Sequence, residues 1–579
     1  MVCHEGKEVA IVGEDDHSRR PLSRLVRIER FLSARRFRVL SDFLALSFFL
    51  IVVIGPTIYV FFTVLDWNTI HTWVFADPFT GNTRWLMMLR ALTVSFEIAG
   101  VATIVDIIIG LPMALILARY QFRYKKFVDT LVDLPMAVPT SALGFSLFLF
   151  WGTKEGLAGL LGMDRGLLSR GPLMVILAHV AFTYPYIVRS LKAIIIGIDE
   201  TYEDAARTLG APPITVFRSI TFPLMTGGLL SGATLAFTRS LGETGATIIL
   251  SGVYSTAPVL IVSWRQMLQI PPTAFLSVIL VAIAIILTTI VRIVMRIQGG
   301  TLGRVWPSVE RRLSRPSMRV ARDTFVVVSF ALIVLVPSVF IIDYMAGRLT
   351  GSPYTGRAES GVIYQVFLAP DQKWDALLDA LVTSLRISVL ATAINMAAGL
   401  PMAFAMIRRR WGMVKGILDF MIDVPLSVPT AALGFSFFLF WGSEGLNLIH
   451  PGFWLVAVVH IAFTYPYVVR TLMAVIEGLD PGVEEAAATL GAPPLTVFRT
   501  VTLPLLGPGM LAAAIMAFTR SLGETGATIV VMGLSRTIPV LIVDWVESLA
   551  LPAASFACVI LIVISYCLLL ALRYLLGWE

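Results

Sequence analysis

The chain has 579 residues, of which 57% are hydrophobic and only 14% charged, whereas an ordinary soluble domain carries about 25% charged residues. Mean hydropathy is +0.83, and many apolar runs approach the roughly 20 residues that a helix needs to cross a bilayer, which excludes a string of soluble domains. The formal charge of +7 sits in segments between apolar runs instead of along one surface, which points to orientation in a membrane and away from nucleic acid.

The first 40 residues are polar and rich in arginine (Arg19, Arg20, Arg24, Arg27, Arg30, Arg35, Arg36, Arg38). The run that follows, 43–64, is too long for a signal-peptide core and lacks a small-residue cleavage site, so it reads as an anchored first helix with a cytoplasmic N-terminus. Further apolar runs fall near 91–118, 131–151, 172–197, 225–252 and 274–295, and a second series near 324–345, 380–406, 418–441, 453–476, 506–533 and 553–575. Cys3, Cys558 and Cys567 form neither a disulfide framework nor metal-ligand spacing, and no metal site is expected.

The two series are copies. His179–Tyr186 recurs as His460–Tyr467, and Leu209–Pro213 as Leu490–Pro494, both at an offset of 281. Phe237–Thr247 recurs unchanged as Phe518–Thr528. Upstream, Gly110–Ala114 recurs as Gly399–Ala403 and Val138–Thr140 as Val428–Thr430, at 289 or 290. Six spans per copy is an even number, so both copies enter the membrane in the same direction. The expected fold is all-α: twelve transmembrane helices as a parallel 6+6 repeat with a pseudo-twofold axis along the membrane normal. Boundaries are read at 1–40 (basic tail), 41–296 (first six-span half), 297–322 (linker, a polar tether) and 323–579 (second six-span half).

Charge supports that topology. Loops with Arg119, Arg123, Lys125 and Lys126, and with Arg408, Arg409, Arg410 and Lys415, fall inside, as does the linker with Arg304, Arg311, Arg312, Arg315 and Arg319. Outer segments 66–89 and 346–378 are less basic, as the positive-inside rule requires.

Between the fourth and fifth spans each half carries a polar, proline-broken segment, Glu203–Pro223 and Glu484–Pro504. Its opening acids, Glu203-Asp204 and Glu484-Glu485, suit the positive end of a helix dipole. Ala205-Ala206 and Ala486-Ala487 leave a smooth surface for another chain. Gly210 and Gly491 supply a left-handed stop, and the Pro-Pro pairs behind them forbid continuation. The result is a short rigid knob at the inner face, closed by Pro223 or Pro504.

The Glu-Ala-Ala, Gly and closing Leu-Pro pattern resembles the cytoplasmic coupling motif of type I ABC importer permeases. Glu485, Ala486, Ala487, Gly491 and Pro504 match it. The first copy has Asp204 in place of Glu, and Phe222 before Pro223. The resemblance implies a transport subunit that is not itself an enzyme and that lies multi-pass in the plasma or inner membrane. It implies partner ATPase subunits, two copies of one chain, binding ATP and Mg, with an extracytoplasmic solute-binding protein and membrane lipid as further partners. In keeping with this, the chain has no Gly-x-x-x-x-Gly-Lys-Ser/Thr loop to cradle phosphates, and no cofactor is expected in it.

The fifth spans carry Arg239, Glu243 and Thr244, and Arg520, Glu524 and Thr525. Ionisable groups at membrane depth face a bundle interior or a wet cavity, and Arg and Glu four apart can neutralise each other. Two readings stand: an internal structural pair, or a gate loosened by Gly242, Gly245, Gly523 and Gly526. Asp133-Leu-Pro135 with Val138-Pro-Thr140, and Asp423-Val-Pro425 with Val428-Pro-Thr430, break the start of the third spans. His179 and His460 are read as helix-to-helix hydrogen bonders, and segment 346–378 as a contact for the binding protein.

The Ser-Leu-Gly-Glu-x-Gly-Ala stretch resembles the molybdate, tungstate and sulfate branch, which has Phe where Thr244 and Thr525 stand. Tandem fusion is instead similar to ferric-iron and thiamine permeases. The rival class is a secondary active transporter built from parallel six-helix halves.

Overall fold

In a computed structural model the chain is described over residues 35–64, 66–294, 307–351, 360–371 and 373–575. The basic tail through residue 34 and linker residues 297–306 lie outside the described residues. Among those described there is no β-strand, and ten continuous helices are long and apolar enough to cross a membrane, from Val39–Thr63 to Leu551–Leu568. The third run of each half is a pair of helices bent by 104° and 107°, and counting each pair as one span gives twelve.

Proline dictates the bends. Val138 and Val428 adopt extended backbone ahead of Pro139 and Pro429, as the steric clash with a following proline ring requires. In the first half the limbs are Lys125–Ala137 and Thr140–Gly152, 13 residues each. Each is about 20 Å long, short of the roughly 30 Å hydrocarbon core. The limb before the bend is tied to the fourth span by arginine. Arg189 donates to Asp129 at 2.7 Å and to Asp133 at 2.6 Å, and Arg470 to Asp419 at 2.6 Å and to Asp423 at 2.8 Å.

The two sequence repeats do not pack as separate bodies. The first span, with buried Ala45, Phe49, Val53 and Val60, joins a core built mostly from Ile387 to Val540 of the second half. The helix Pro316–Gly347, with Val326, Phe330, Val334 and Ile341, joins the core of the first half. Sixth spans cross too: Leu276 and Leu280 pack with the second half, Cys558 and Leu561 with the first. Each half is therefore clasped by the outer helices of its twin, which closes the 6+6 repeat into one unit.

The loops rich in Arg and Lys gather at one end. Arg119 reaches Glu200 and Glu203, both at 3.1 Å, Arg409 pairs with Asp42 at 2.6 Å, and Arg322 donates to the Tyr120 hydroxyl at 3.1 Å. The described part of the linker differs from the expected polar tether. Pro307–Leu313 is a helix, and the helix of the seventh span starts at Pro316, ahead of the boundary at 323. Glu310 accepts from Arg218 Nε at 2.8 Å and from the Thr215 hydroxyl, and Ser314 Oγ from the Ile214 amide at 3.2 Å, and such polar contacts leave no apolar period to read.

At the opposite end the described part of 346–378 folds back on the bundle. The Val362 amide donates to the Arg348 carbonyl at 2.9 Å, the Ala553 amide to Gln365 Oε1 at 3.3 Å, and Arg348 pairs with Glu155 at 2.5 Å.

Candidate functional site

The knobs between fourth and fifth spans are helices Glu200–Thr208 and Pro481–Thr489. Asp199 and Asp480 cap them, accepting from the amides of Thr201 at 2.9 Å and Gly482 at 2.8 Å. Such caps contribute about 1 kcal/mol each, and the capping bonds hold the Asp199 carboxyl below its ordinary range. Gly210 and Gly491 adopt φ of +85° and +87°. The amides of Ala211 and Ala492 then bond back to Ala206 and Ala487 at 3.1 and 3.2 Å, which ends each helix in a left-handed turn.

The two opening acids part company. Glu203 is 5% exposed. Its Oε1 accepts from Arg119 at 3.1 Å and from the Thr221 hydroxyl at 3.0 Å, and its Oε2 from Arg207 at 3.1 Å. In the twin, Glu484 accepts from Thr502 at 2.8 Å and pairs with Arg408 at 3.1 Å. The first acid thus bolts the knob to the end of the second span and the start of the fifth, where Pro223 and Pro504 enter the helix after a widened turn. Asp204 and Glu485 point outward, as do Ala205 and Ala486, while Ala206 and Ala487 are half-buried. Asp204 pairs with Arg207 at 2.7 Å on the surface, where an ion pair contributes little.

Sequence reasoning missed the most prominent outward group. Leu209 and Leu490 are each 89% exposed at the tip of the knob, outside the apolar runs. Their repeat in Leu-Gly-Ala-Pro-Pro was visible, but was read for its glycine and prolines. The Thr221 and Thr502 anchors were likewise present in both copies, two residues before the closing proline.

At the centre of the bundle the fifth span is interrupted. Helix Phe222–Leu241 stops, residues 242–244 turn, and Gly245–Leu250 resumes; Leu503–Leu522 and Gly526–Val531 repeat the pattern. The space is closed. A Cβ on Gly245 would lie 2.8 Å from Thr525 Oγ1, and one on Gly526 2.6 Å from Thr244 Oγ1, so each threonine packs on its twin's glycine across the axis. Only about 20 Å³ remains, bordered by Pro139, Thr140, Arg239, Arg520 and Glu524.

The two arginines behave differently. Arg239 Nη2 pairs with Glu243 Oε2 at 2.7 Å. Both lie over aromatic rings, Arg239 5.3 Å from the Phe182 centroid and Arg520 5.6 and 5.4 Å from those of Phe463 and Tyr467, but no Arg520–Glu524 ion pair forms among the described residues. A guanidinium over an aromatic face gains cation–π attraction, which a spacing of four cannot reveal. Both glutamates cap the resumed helix: Glu243 Oε1 accepts from the Ala246 amide at 3.3 Å and Glu524 Oε1 from Ala527 at 3.1 Å.

The buried histidines brace the interruption from the fourth span. His179 bonds Ser240 at 2.7 Å before the break and Thr247 at 2.9 Å after it; His460 does the same with Ser521 at 2.8 Å and Thr528 at 2.9 Å. One turn along, Thr183 donates to Asp106 at 2.5 Å, and the twin contact is Asn395 to Thr464 at 2.8 Å.

Beyond the break, at the end away from the knobs, lies a cavity of about 210 Å³. Its lining includes Ser251, Ser255, Ser263 and Gln266 from the first half and Asp544 and Glu547 from the second. Burial raises both carboxyls above their ordinary range. Arg536 opposes the rise at Asp544; at Glu547 the Asp544 charge adds to it and Arg170 opposes it. No group of three or more His, Cys, Asp or Glu stands ready to hold a metal among the described residues.

Comparison with known proteins agrees with the duplicated architecture. The chain is 37% identical over 165 residues to the "Probable sulfate transport system permease protein cysT" of Marchantia polymorpha, covering 28% of this chain and 57% of that protein. The corresponding protein of Prototheca wickerhamii is 34% identical over 157 residues, 27% and 62% of the two chains. The "Molybdate/tungstate transport system permease protein WtpB" of Methanocaldococcus jannaschii is 30% identical over 213 residues, 37% of this chain and 84% of that one. The matched region thus spans about three fifths of the length of the two sulfate permease relatives. The sequence profile described as "Binding-protein-dependent transport system inner membrane component" matches twice, at 107–304 and 395–577. This chain belongs to that family, and carries its permease unit in two tandem copies.

Proposed function

We propose that this chain is the solute-conducting subunit of an ATP-driven importer, taking a small inorganic oxyanion from a soluble binding protein. The observation that carries the reading is the pair of knobs. Each offers Leu209 or Leu490 outward and is bolted inward through Glu203 or Glu484. One ATPase subunit would dock on each knob, two in all, binding the ATP and Mg on which the cycle runs. The basic end that holds the knobs is then cytoplasmic, with the N-terminus on that side, in the plasma or inner membrane.

The geometry supports a transmission route. A push on either knob acts through Glu203 or the half-buried Glu484 on the second and fifth spans together, because Arg119 or Arg408 ends one and Thr221 or Thr502 opens the other. The fifth spans run on to the interruption at Gly242–Thr244 and Gly523–Thr525, the contact that closes the centre. Moving the two fifth spans apart separates Thr244 from Gly526 and Thr525 from Gly245, opening a path along the axis. The histidine braces keep the limbs of each broken span aligned during that movement.

The names of the relatives favour sulfate, molybdate or tungstate as cargo. One observation favours a second reading: Asp544 and Glu547 in the outer cavity oppose an anion when ionised and suit a cation such as ferric iron. Proteoliposomes holding this chain, its ATPase and its binding protein separate the two. The oxyanion reading expects labelled sulfate or molybdate to accumulate, and Asp544→Asn with Glu547→Gln to leave uptake unchanged or higher. Accumulation of iron with no oxyanion uptake, lost in the same variant, would overturn it.

A further inference from the structure

The outer cavity lies on the pseudo-twofold axis. Its lining holds pairs related by the offset of 281, among them Ile248 with Ile529 and Val259 with Val540, so the two halves contribute matching walls. On the inner side stands the closed break, where Thr244 packs on Gly526 and Thr525 on Gly245. A solute arriving from outside meets this space before it meets the closed centre.

The polar positions break the symmetry. Where the first half lines the cavity with Ser251, Ser263 and Gln266, the second has Met532, Asp544 and Glu547. The neighbouring stretch Phe237–Thr247, by contrast, recurs unchanged. Ser251, Ser255 and Gln266 make no side-chain hydrogen bond among the described residues, and Ser263 donates only to its own helix, to the Val259 carbonyl at 3.1 Å. One wall therefore offers neutral donors without partners, and the other offers two carboxyls.

Few charges act on those carboxyls. Arg536 Nε stands 3.4 Å from Asp544 Oδ2, while Glu547 is acted on by Asp544 and by Arg170. The helices packed on Ile538–Glu547 are Thr140–Gly152, Gly245–Leu250, Lys373–Arg408 and Leu551–Leu575. They add no other ionisable side chain to the cavity lining among the described residues. Neither arginine has a twin, since Ser255 and Pro451 stand at the matching positions.

Building on the oxyanion reading, we propose that this vestibule is a proton-dependent entry site, where Ser251, Ser255 and Gln266 bind the oxyanion once Asp544 and Glu547 are in their acid forms. Ionised, the two carboxylates cancel Arg536 and Arg170 and repel an anion at close range. Protonation turns acceptor-only groups into donors, and it leaves both arginines unopposed. A free carboxyl titrates at about 4, and burial moves these two upward from there. The acid forms fill as the pH falls, so acidification outside raises uptake. The dependence is on outer pH and not on a gradient, because no proton crosses with the solute.

The test is uptake of labelled sulfate and molybdate by sealed proteoliposomes holding the full chain, its ATPase and its binding protein, with outer pH taken from about 8 to about 5.5. The reference is Asp544→Asn with Glu547→Gln, whose amides keep the donors without the charge. Dividing by it cancels any pH response of the binding protein. The unaltered chain should be roughly fivefold slower than this variant at the upper pH and match it at the lower. Ser263→Asp with Gln266→Glu, which copies the acids onto the other wall, should slow uptake further at the upper pH and recover at the lower. Oxyanion uptake with one pH profile in all three chains overturns this site and leaves the oxyanion reading standing. A difference that vanishes at equal pH on both sides also overturns the site. No oxyanion uptake by any of the three at either pH removes the oxyanion reading, and the site with it.

Discussion

Replacing Leu209 and Leu490 together by aspartate is expected to abolish ATP-driven uptake while leaving the chain folded and inserted. Each side chain is 89% exposed at the tip of its knob, and substitutions at such exposed positions normally shift stability by about 0.5 kcal/mol or less. An exposed leucine becomes valuable only when a partner buries it, a gain of about 2 kcal/mol. With one ATPase subunit on each knob, each docking is weakened by about 2 kcal/mol, or roughly thirtyfold, at both sites at once. Copurification of the ATPase with the detergent-solubilised chain reads this directly. Leu→Met at both positions should retain most of the binding, since it keeps the apolar bulk. Full ATPase retention by the aspartate variant would remove these leucines from the interface.

A second large effect is expected at the centre, and it should be unequal between the halves. Glu243→Gln strands the buried Arg239 without its counter-charge, and breaking a buried pair in this way costs about 3–5 kcal/mol. Glu524→Gln breaks no direct ion pair, because Arg520 rests on Phe463 and Tyr467. A glutamine oxygen can still accept from the Ala527 amide, so a cost of about 1 kcal/mol is expected. Thermal unfolding of the two single variants measures the difference. Uptake then separates path from scaffold: a double variant that assembles but no longer transports places the carboxylates in the path. Unchanged transport assigns them to structure alone.

Much of this was legible because duplication supplies its own control. A glycine stop, a Pro-Pro pair and an opening acid that recur at one offset had to serve a local geometry, and Gly210 and Gly491 adopt it within 2° of each other in φ. Of the prolines read as breaks in the third runs, Pro139 and Pro429 stand at bends above 100°, while Pro135 and Pro425 lie inside the preceding helices without breaking them. Long-range pairing was not legible. An apolar run states that a helix is buried, not which neighbour buries it, so the crossing of the first and sixth spans was hidden. Direction was equally hidden in Glu203-Asp204. Two adjacent acids look alike in sequence, and only Arg119 and Thr221, distant in the chain, turn one inward. The linker helix Pro307–Leu313 escaped because Glu310, Arg218 and Thr215 make a polar contact with no period, and linker charge reads as solvated surface.

On the function proposed above, ATP hydrolysis by a docked partner moves these helices. Uptake into sealed proteoliposomes containing the chain, its ATPase and its binding protein tests it most directly. Accumulation is expected to require hydrolysable ATP on the knob side and to be indifferent to proton or sodium gradients. Accumulation that persists without ATP and follows an imposed ion gradient would contradict it and make the chain a secondary carrier.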